Sequence, residues 1–238
     1  MPGTLRLSVA LFAILSALLA APAMVSALVQ EQDAVRILES SARAMDEAQS
    51  ARLDGTMTLD IAYRGESASL VFAMSGEAQG VDRSSLTLRN DQFGVSREII
   101  IIGERAWTRS GSGPWQTGLV HPALVGATNQ DWVRTLTNPV VSDLGAAYRV
   151  TAGLDMTNPL NLGYADTMVD AVRSYVPFDL TGLTGQVSLN VDKSTGYWTS
   201  QEILINMAFF DQSGSVNGVT ALSFSEFNNP NIRIAAPA

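Results

Sequence analysis

The sequence predicts an α+β fold, a curved antiparallel β-sheet with an N-terminal helix and with short helices covering its concave face. Three observations predict it: helical periodicity near the start of the chain, two groups of segments with strand periodicity, and a loop-rich stretch between the two groups. A sheet with this many strands curls, so that one of its sides becomes concave and can be covered by helices.

The first 27 residues have the composition of a secretory signal peptide. Arg6 is the only charged residue before Glu31, residues 7–21 are almost entirely apolar, and small residues precede the predicted cleavage point after Ala27. An uncleaved anchor is the alternative, but a spanning helix needs about 20 apolar residues and this run is shorter. We therefore expect a signal peptide over 1–27 and one mature domain over 28–238, exported to the periplasm, the cell envelope or the medium.

Residues 32–48 are predicted to form an amphipathic helix. Apolar and small residues recur there at steps of three and four, while charged residues occupy other positions. Such a helix has one face to bury, and that face carries Ala34, Ile37, Leu38, Ser41, Ala42, Met45 and Ala48.

After this helix the period changes to two, which predicts an antiparallel meander, and a second meander is predicted near the C-terminus. Turns are predicted between the strands, including one from Gly76 to Gly80 and one from Gln212 to Gly218. The predicted strands lie near 56–63, 70–74, 86–88, 93–102 and 106–108 in the first meander and near 186–192, 197–210 and 219–227 in the second.

The stretch from Gly118 to Gly182 is rich in Asn, Pro, Gly and Thr, and it carries short helical patterns. Helices are predicted at 131–136, at 140–148, and from an Asp166 cap to a stop before Pro177. Short helices with one apolar face indicate a cover for the sheet rather than a second domain.

Composition excludes several functions. The chain has no cysteine, which removes disulfides, thiol catalysis and cysteine metal motifs, and also lipid anchoring through a signal-peptide cysteine. The net charge of −8 disfavours nucleic acid as a partner, and it disfavours adhesion to anionic headgroups. No cofactor or metal is expected, because no phosphate-cradling glycine motif or metal-ligand spacing is present.

The sequence does not predict an enzyme. His121 is the single histidine, and it precedes a proline in a glycine-rich loop without any nucleophile-elbow motif. A pair of facing carboxylates, as in a glycosidase, stays open as the basis of a secreted hydrolase.

The apolar faces of the strands carry the functional signal. They are compatible with an ordinary packed core, and they are equally compatible with the wall of a cavity, in which methionines would adapt to a flexible acyl chain. The residues predicted to line such a cavity are Met57, Leu59, Ile61, Leu70, Phe72, Met74, Leu86, Leu88, Ile203, Ile205, Met207 and Phe209.

Several short motifs, in their order along the chain, resemble those of a known family. The initial helix leads into Ala51-Arg52-Leu53-Asp54-Gly55-Thr56, and a hairpin pattern follows in Gly103 to Trp107 with Gly113-Pro114-Trp115. Val191 to Tyr197 contains an Asp-x-x-Thr-Gly turn, and the chain ends with the pattern from Leu222 to Pro237. Over residues 33–237 the chain resembles the LppX/LprG-type lipoproteins of mycobacteria and, more distantly, the lipoprotein carrier LolA and the sensor RseB.

This resemblance implies a LolA-like half-barrel with helices inside, which binds a lipid or an acylated protein without catalysis. The lipoprotein members' cysteine is missing, so their membrane tether does not apply. We expect a lipid or an acylated protein as the partner of a monomer, with an envelope membrane protein as a further partner. A sensor or protein-interaction module on the same fold is the second hypothesis, and the carboxylate-pair hydrolase is the third.

Overall fold

A computed structural model describes residues 32–119, 130–158, 180–209 and 213–237; the predicted signal peptide and the helix predicted from Asp166 lie outside these ranges. One helix, α1, spans 32–47, as predicted, and a 3-10 helix spans Gln130–Thr135. The strands are β1 (Ser50–Tyr63), β2 (Glu66–Gln79), β3 (Arg83–Asn90), β4 (Val95–Ile102), β5 (Arg105–Ser110), β6 (Gln116–Leu119), β7 (Leu136–Asp143), β8 (Ala147–Leu154), β9 (Leu180–Asp192), β10 (Trp198–Phe209) and β11 (Gly214–Ser225).

All of these strands form one antiparallel sheet in the order β6-β5-β4-β3-β2-β1-β11-β10-β9-β8-β7. The sheet consists of two meanders, β1–β6 and β7–β11, in which strands consecutive in the chain are also neighbours in space. The meanders join where β1 pairs with β11, with Leu59 opposite Gly218. Strand twist makes an open sheet of this width curl. The predicted curved sheet with an N-terminal helix is confirmed.

Helix α1 buries the face that its periodicity predicts. Ala34 and Leu38 are buried, while Val35 between them is 41% exposed. The helix ends as the chain leaves it for β1, and its last turn is closed by the Ala48 N–H, which donates to the Ala44 carbonyl at 3.1 Å. Burial of this face, rather than helix propensity alone, stabilises a helix of this length.

The helix predicted at 140–148 is wrong, because the structure has a β-hairpin there, formed by the end of β7 and the start of β8. Val140 and Val141 favour a strand, since their β-branched side chains fit a pleated surface. Gly145 then adopts a φ of +83° that no helix contains. The Asp143 carboxylate accepts the Gly145 N–H at 2.7 Å, which stabilises the turn instead of a helix.

Other predicted boundaries also differ from those in the structure. The turn predicted at Gly76 to Gly80 is wrong, because β2 continues to Gln79, where the long partner β1 holds it. The turn predicted from Gln212 to Gly218 is wrong for the same reason, since β11 already pairs with β1 at Gly214. The helix predicted at 131–136 is confirmed as a helical turn, although it is a 3-10 helix.

One apolar core lies between α1, the 3-10 helix and one face of the sheet. It contains Ala34, Leu38 and Ala42 of α1, Trp132 and Val133 of the 3-10 helix, and apolar residues of strands β1, β2 and β8–β11. None of the helices within the described ranges is long and apolar enough to cross a membrane.

Candidate functional site: the apolar inner face of the sheet

All twelve residues predicted to line a cavity lie on one face of the sheet, which we call the inner face. The cross-strand pairs show this: Met57 on β1 lies opposite Phe72 on β2, and Thr220 on β11 lies opposite both Met57 and Ile203. Leu88 on β3 extends this face, because it lies opposite Met74. The complete set is Met57, Leu59, Ile61, Leu70, Phe72, Met74, Leu86, Leu88, Ile203, Ile205, Met207 and Phe209.

Nine of these twelve side chains are buried, with exposures from 0% to 8%. The remaining three are partly exposed: Met74, Leu86 and Leu88. The nine buried residues all belong to the main core, and Met74 packs against its edge. The inner face therefore changes from a packed core around β1 and β10 to a partly uncovered apolar surface at β3.

Helix α1 is attached to the inner face by a buried hydrogen bond. The indole N–H of Trp198, at the start of β10, donates to Ser41 Oγ at 2.9 Å. Ser41 Oγ in turn donates to the Leu38 carbonyl at 3.0 Å. Ser41 and Trp198 are 0% and 1% exposed, so neither group can bond to water instead. A buried indole N–H generally has such a partner, and this one fixes where α1 crosses the sheet.

Aromatic rings surround the attachment point. Trp132 of the 3-10 helix meets Trp198 edge-to-face, with ring centroids 5.7 Å apart and an angle of 73° between the ring planes. Phe224 of β11 meets the same indole at 6.4 Å and 69°. Edge-to-face pairs of this kind add about 0.5–1.5 kcal/mol each to the free energy of burial. This part of the inner face is filled with protein side chains.

The inner face continues on β4 with residues that the sequence prediction missed. Ile99 lies opposite Leu86, and Ile101 lies opposite Ser84. Ile99 is partly exposed, like Leu86, while Ile101 is 8% exposed. Residues 99–102 are four consecutive isoleucines, so alternation along the chain could not show which pair faces inward. The cross-strand register decides this.

The inner faces of β8, β9 and β11 supply further core side chains that are absent from the predicted set, among them Val150, Leu189 and Val216. Val150, Leu189 and Val216 have exposures of 1%, 0% and 0%. Val216 lies opposite both Ile61 and Met207, so it joins the two predicted groups across β11. Val216 is absent from the predicted set because it falls within the turn predicted at 212–218.

The opposite face of the same strands carries ion pairs. Arg109 on β5 donates two hydrogen bonds to the Glu98 carboxylate on β4, each at 2.9 Å, and its guanidinium lies 4.6 Å from the centre of the Trp115 ring. Arg52 on β1 pairs with Glu77 and Glu226. Charge on this face and aliphatic carbon on the inner face make the sheet amphipathic around β1, whereas β4 carries isoleucines on both faces.

The carboxylates with perturbed pKa values belong to turns. The pKa of Asp192 is lowered to about 2, first by the Ser194 hydroxyl and then by N–H and hydroxyl groups of Thr195. The Lys193 ammonium lowers the pKa of Asp143, and the Thr157 hydroxyl lowers that of Asp155. A general acid needs a raised pKa. Every carboxylate pKa shift resolved within the described ranges is downward.

No group of three or more potential metal ligands occurs among the described residues. His121 lies outside the described residues. What the described inner face offers chemically is aliphatic and aromatic surface, suited to contact with an apolar molecule.

No protein-family model matches the chain, and no curated protein matches it. Among solved structures the chain is similar in fold to LprF from Mycobacterium bovis, at 15% identity and a TM-score of 0.45, over 87% of this chain and 98% of that one. It is similar to the lipoprotein LppX from Mycobacterium tuberculosis, at 11% identity and a TM-score of 0.42, over 86% and 100%.

A LolA superfamily protein from Nitrosomonas europaea is also similar, at 13% identity and a TM-score of 0.37, over 84% of this chain and 94% of that one. LppX and a LolA superfamily protein, from two of the groups that the sequence resembles, occur among these structural matches.

Proposed function

We propose that this protein is an exported, non-enzymatic binding or transfer protein that holds a lipid or an acylated molecule against the inner face of its sheet. One observation carries the proposal. The inner face stays apolar beyond the packed core, through Met74, Leu86, Leu88 and Ile99, which are all partly exposed. Leaving aliphatic side chains partly in water costs about 25 cal/mol per Å² of apolar surface.

The location of these four residues supports an apolar ligand rather than an incomplete core. They lie in one continuous patch, since Leu88 is opposite Met74 and Leu86 is opposite Ile99. Arg97 is exposed at the end of this patch, opposite Leu88. An acyl chain placed along the patch would extend the core and would leave its polar end near solvent.

A lipid-uptake measurement tests the proposal. The exported protein is examined by native mass spectrometry before and after incubation with phosphatidylglycerol or with a palmitoylated peptide, and its denatured mass is the reference. We expect an added mass that is lost on denaturation and extracts into organic solvent. A bare protein mass under every mild condition, with no uptake of either probe, contradicts the proposal.

A pair of neighbouring substitutions locates the site. Leu88→Gln places an amide in the apolar patch, while Thr87→Gln places the same group on the outer face of the same strand. Burial of a leucine side chain contributes about 1.5–3 kcal/mol, so we expect L88Q to weaken lipid binding at least tenfold. T87Q should bind as the unmodified protein does. Equal binding by the two variants would place the ligand elsewhere.

Export is tested separately by the intact mass of protein recovered from the host's envelope and medium. We expect a chain that begins at Leu28. A chain that keeps residues 1–27 would contradict cleavage, and it would leave the lipid-binding proposal standing.

A further inference from the structure

Part of one edge of strand β2 has no neighbouring strand among the described residues. β2 contains 14 residues and β3 only 8. β1 pairs with all of β2, whereas β3 pairs only with Ala73–Gln79. From Glu66 to Phe72, β2 therefore has β1 on one side and no strand on the other within the described part of the chain.

The geometry of the turn between β1 and β2 shows which N–H and C=O groups of β2 point away from β1. Arg64 and Gly65 have φ values of +49° and +87°, as in a two-residue type I′ turn. Such a turn is closed by a hydrogen-bonded pair, here Tyr63 and Glu66. Because hydrogen-bonding direction alternates along an antiparallel strand, the even-numbered residues of β2 bond to β1. The odd-numbered residues direct their N–H and C=O groups to the other side.

The open edge of β2 is therefore formed by Ser67, Ser69 and Val71. All three residues are exposed, and Val71 is 50% exposed. Their even-numbered neighbours Leu70 and Phe72 are 5% and 7% exposed, with their side chains in the core. The backbone along this edge is therefore accessible, while the neighbouring Leu70 and Phe72 side chains are held in the core.

The two terminal edges of the sheet differ from this one. β6 has only 4 residues, which gives little to pair with. β7 contains Pro139, and its pairing is irregular between Thr137 and Val140, which disrupts the edge. Short strands, prolines and bulges are the features by which proteins prevent strand addition at an edge. From Ser67 to Phe72, β2 has no proline, no charged residue and regular pairing.

We propose that the open edge of β2 binds an extended segment of a partner polypeptide, which adds to the sheet as a strand in line with β3. This is an interaction surface separate from the lipid-binding patch. Strand addition supplies main-chain hydrogen bonds for affinity, and alternate side chains supply specificity. The partner's inward side chains would lie beside Leu70 and Phe72, so apolar residues suit those positions.

The dimensions favour a peptide over a second copy of this chain. Residues 66–72 span about 23 Å, the length of one ordinary strand. A stable interface between two folded surfaces needs roughly 20–30 residues on each side, far more than this edge provides. The net charge of −8 also makes two copies repel each other, and it favours a peptide without acidic residues.

Amide hydrogen exchange of the purified protein tests whether the edge is open. We expect Ser67, Ser69 and Val71 to exchange about 100-fold faster than Leu70 and Phe72, because only the latter bond to β1. Equal, slow exchange at low protein concentration would mean that this chain itself covers the edge. Protection that increases with protein concentration would mean that a second copy does. Either result overturns the proposal.

Binding is then tested with the synthetic peptide Lys-Thr-Val-Thr-Val-Thr-Val-Lys. We expect it to slow exchange at Ser67, Ser69 and Val71 and to shift their amide resonances. Ser69→Pro removes one outward N–H and should weaken binding at least about tenfold, since proline on an edge blocks pairing. Ser69→Ala keeps that N–H and should bind normally.

Ser67→Pro and Ser67→Ala form a second matched pair, which keeps the test decisive if S69P does not fold. The lipid-uptake measurement on the same variants separates the two proposals, because neither serine lies on the inner face. No response of the edge amides to the peptide, or equal binding by the proline and alanine variants, would overturn strand addition.

Discussion

The hydrogen bond between Trp198 and Ser41 should make a measurable contribution to holding α1 on the inner face, and Ser41→Ala tests this. The substitution leaves the Trp198 indole N–H without its partner at a site that is 1% exposed. An unsatisfied buried donor costs about 1–3 kcal/mol. Ser40→Ala is the matched control, because Ser40 lies in the same helix and also bonds a carbonyl three residues back, but is exposed.

The control removes the contribution of helix propensity, since both variants replace serine by alanine in one helix. The free energies of unfolding of S41A and S40A should therefore differ by about 1–3 kcal/mol. Urea unfolding followed by tryptophan fluorescence measures this difference. With a slope of about 2 kcal/mol per M urea, the midpoint of S41A should lie about 0.5–1.5 M below that of S40A.

A double-mutant cycle assigns the loss to the named bond. In a Trp198→Phe background the indole N–H is already absent, so Ser41→Ala should cost much less than in the unmodified protein. Equal unfolding midpoints for S41A and S40A would refute the reasoning. An unchanged cost of S41A in the Trp198→Phe background would refute it as well.

Two further predictions concern packing and pH. Gly185→Ala should lower the free energy of unfolding by about 1–3 kcal/mol, because a Cβ there would lie 2.8 Å from a Leu154 methyl carbon and 3.0 Å from the Leu154 Cβ, which a rotamer change cannot move. Gly118→Ala, whose Cβ would meet nothing within 4 Å, should be neutral in the same thermal unfolding experiment, and equal midpoints for the two variants would contradict the prediction. Since the pKa of Asp192 is lowered from 3.8 to about 2, its contribution to stability is present above pH 3.8 and is lost as the pH falls towards 2. Urea titrations from pH 5 to pH 2 should therefore show a smaller acid-induced loss for Asp192→Asn, and parallel curves would contradict this.

Local patterns in the sequence predict much of this architecture. The three- and four-residue spacing of 32–48 identifies α1 and its buried face. Alternation along single strands places Met57 and Ile205 correctly on faces to be buried, because the strand period of two is a local property of the backbone.

The sequence prediction is wrong where local signals are ambiguous. Residues 140–148 fit a helical spacing, yet the pairing of β7 with β8 and the turn at Gly145 make them a hairpin. The isoleucines at 99–102 make both faces of β4 apolar, so only the pairing of Ile99 with Leu86 shows which of them extend the inner face.

The sequence by itself thus determined the class of the fold, the buried side of α1 and the apolar character of the strand faces, because these depend on periodicities within single elements. The tertiary structure alone decided that β1 pairs with β11, that Trp198 bonds to Ser41, and that β3 pairs only with residues 73–79 of β2. These features depend on contacts between residues far apart in the chain, and their energies appear only when the whole sheet has assembled.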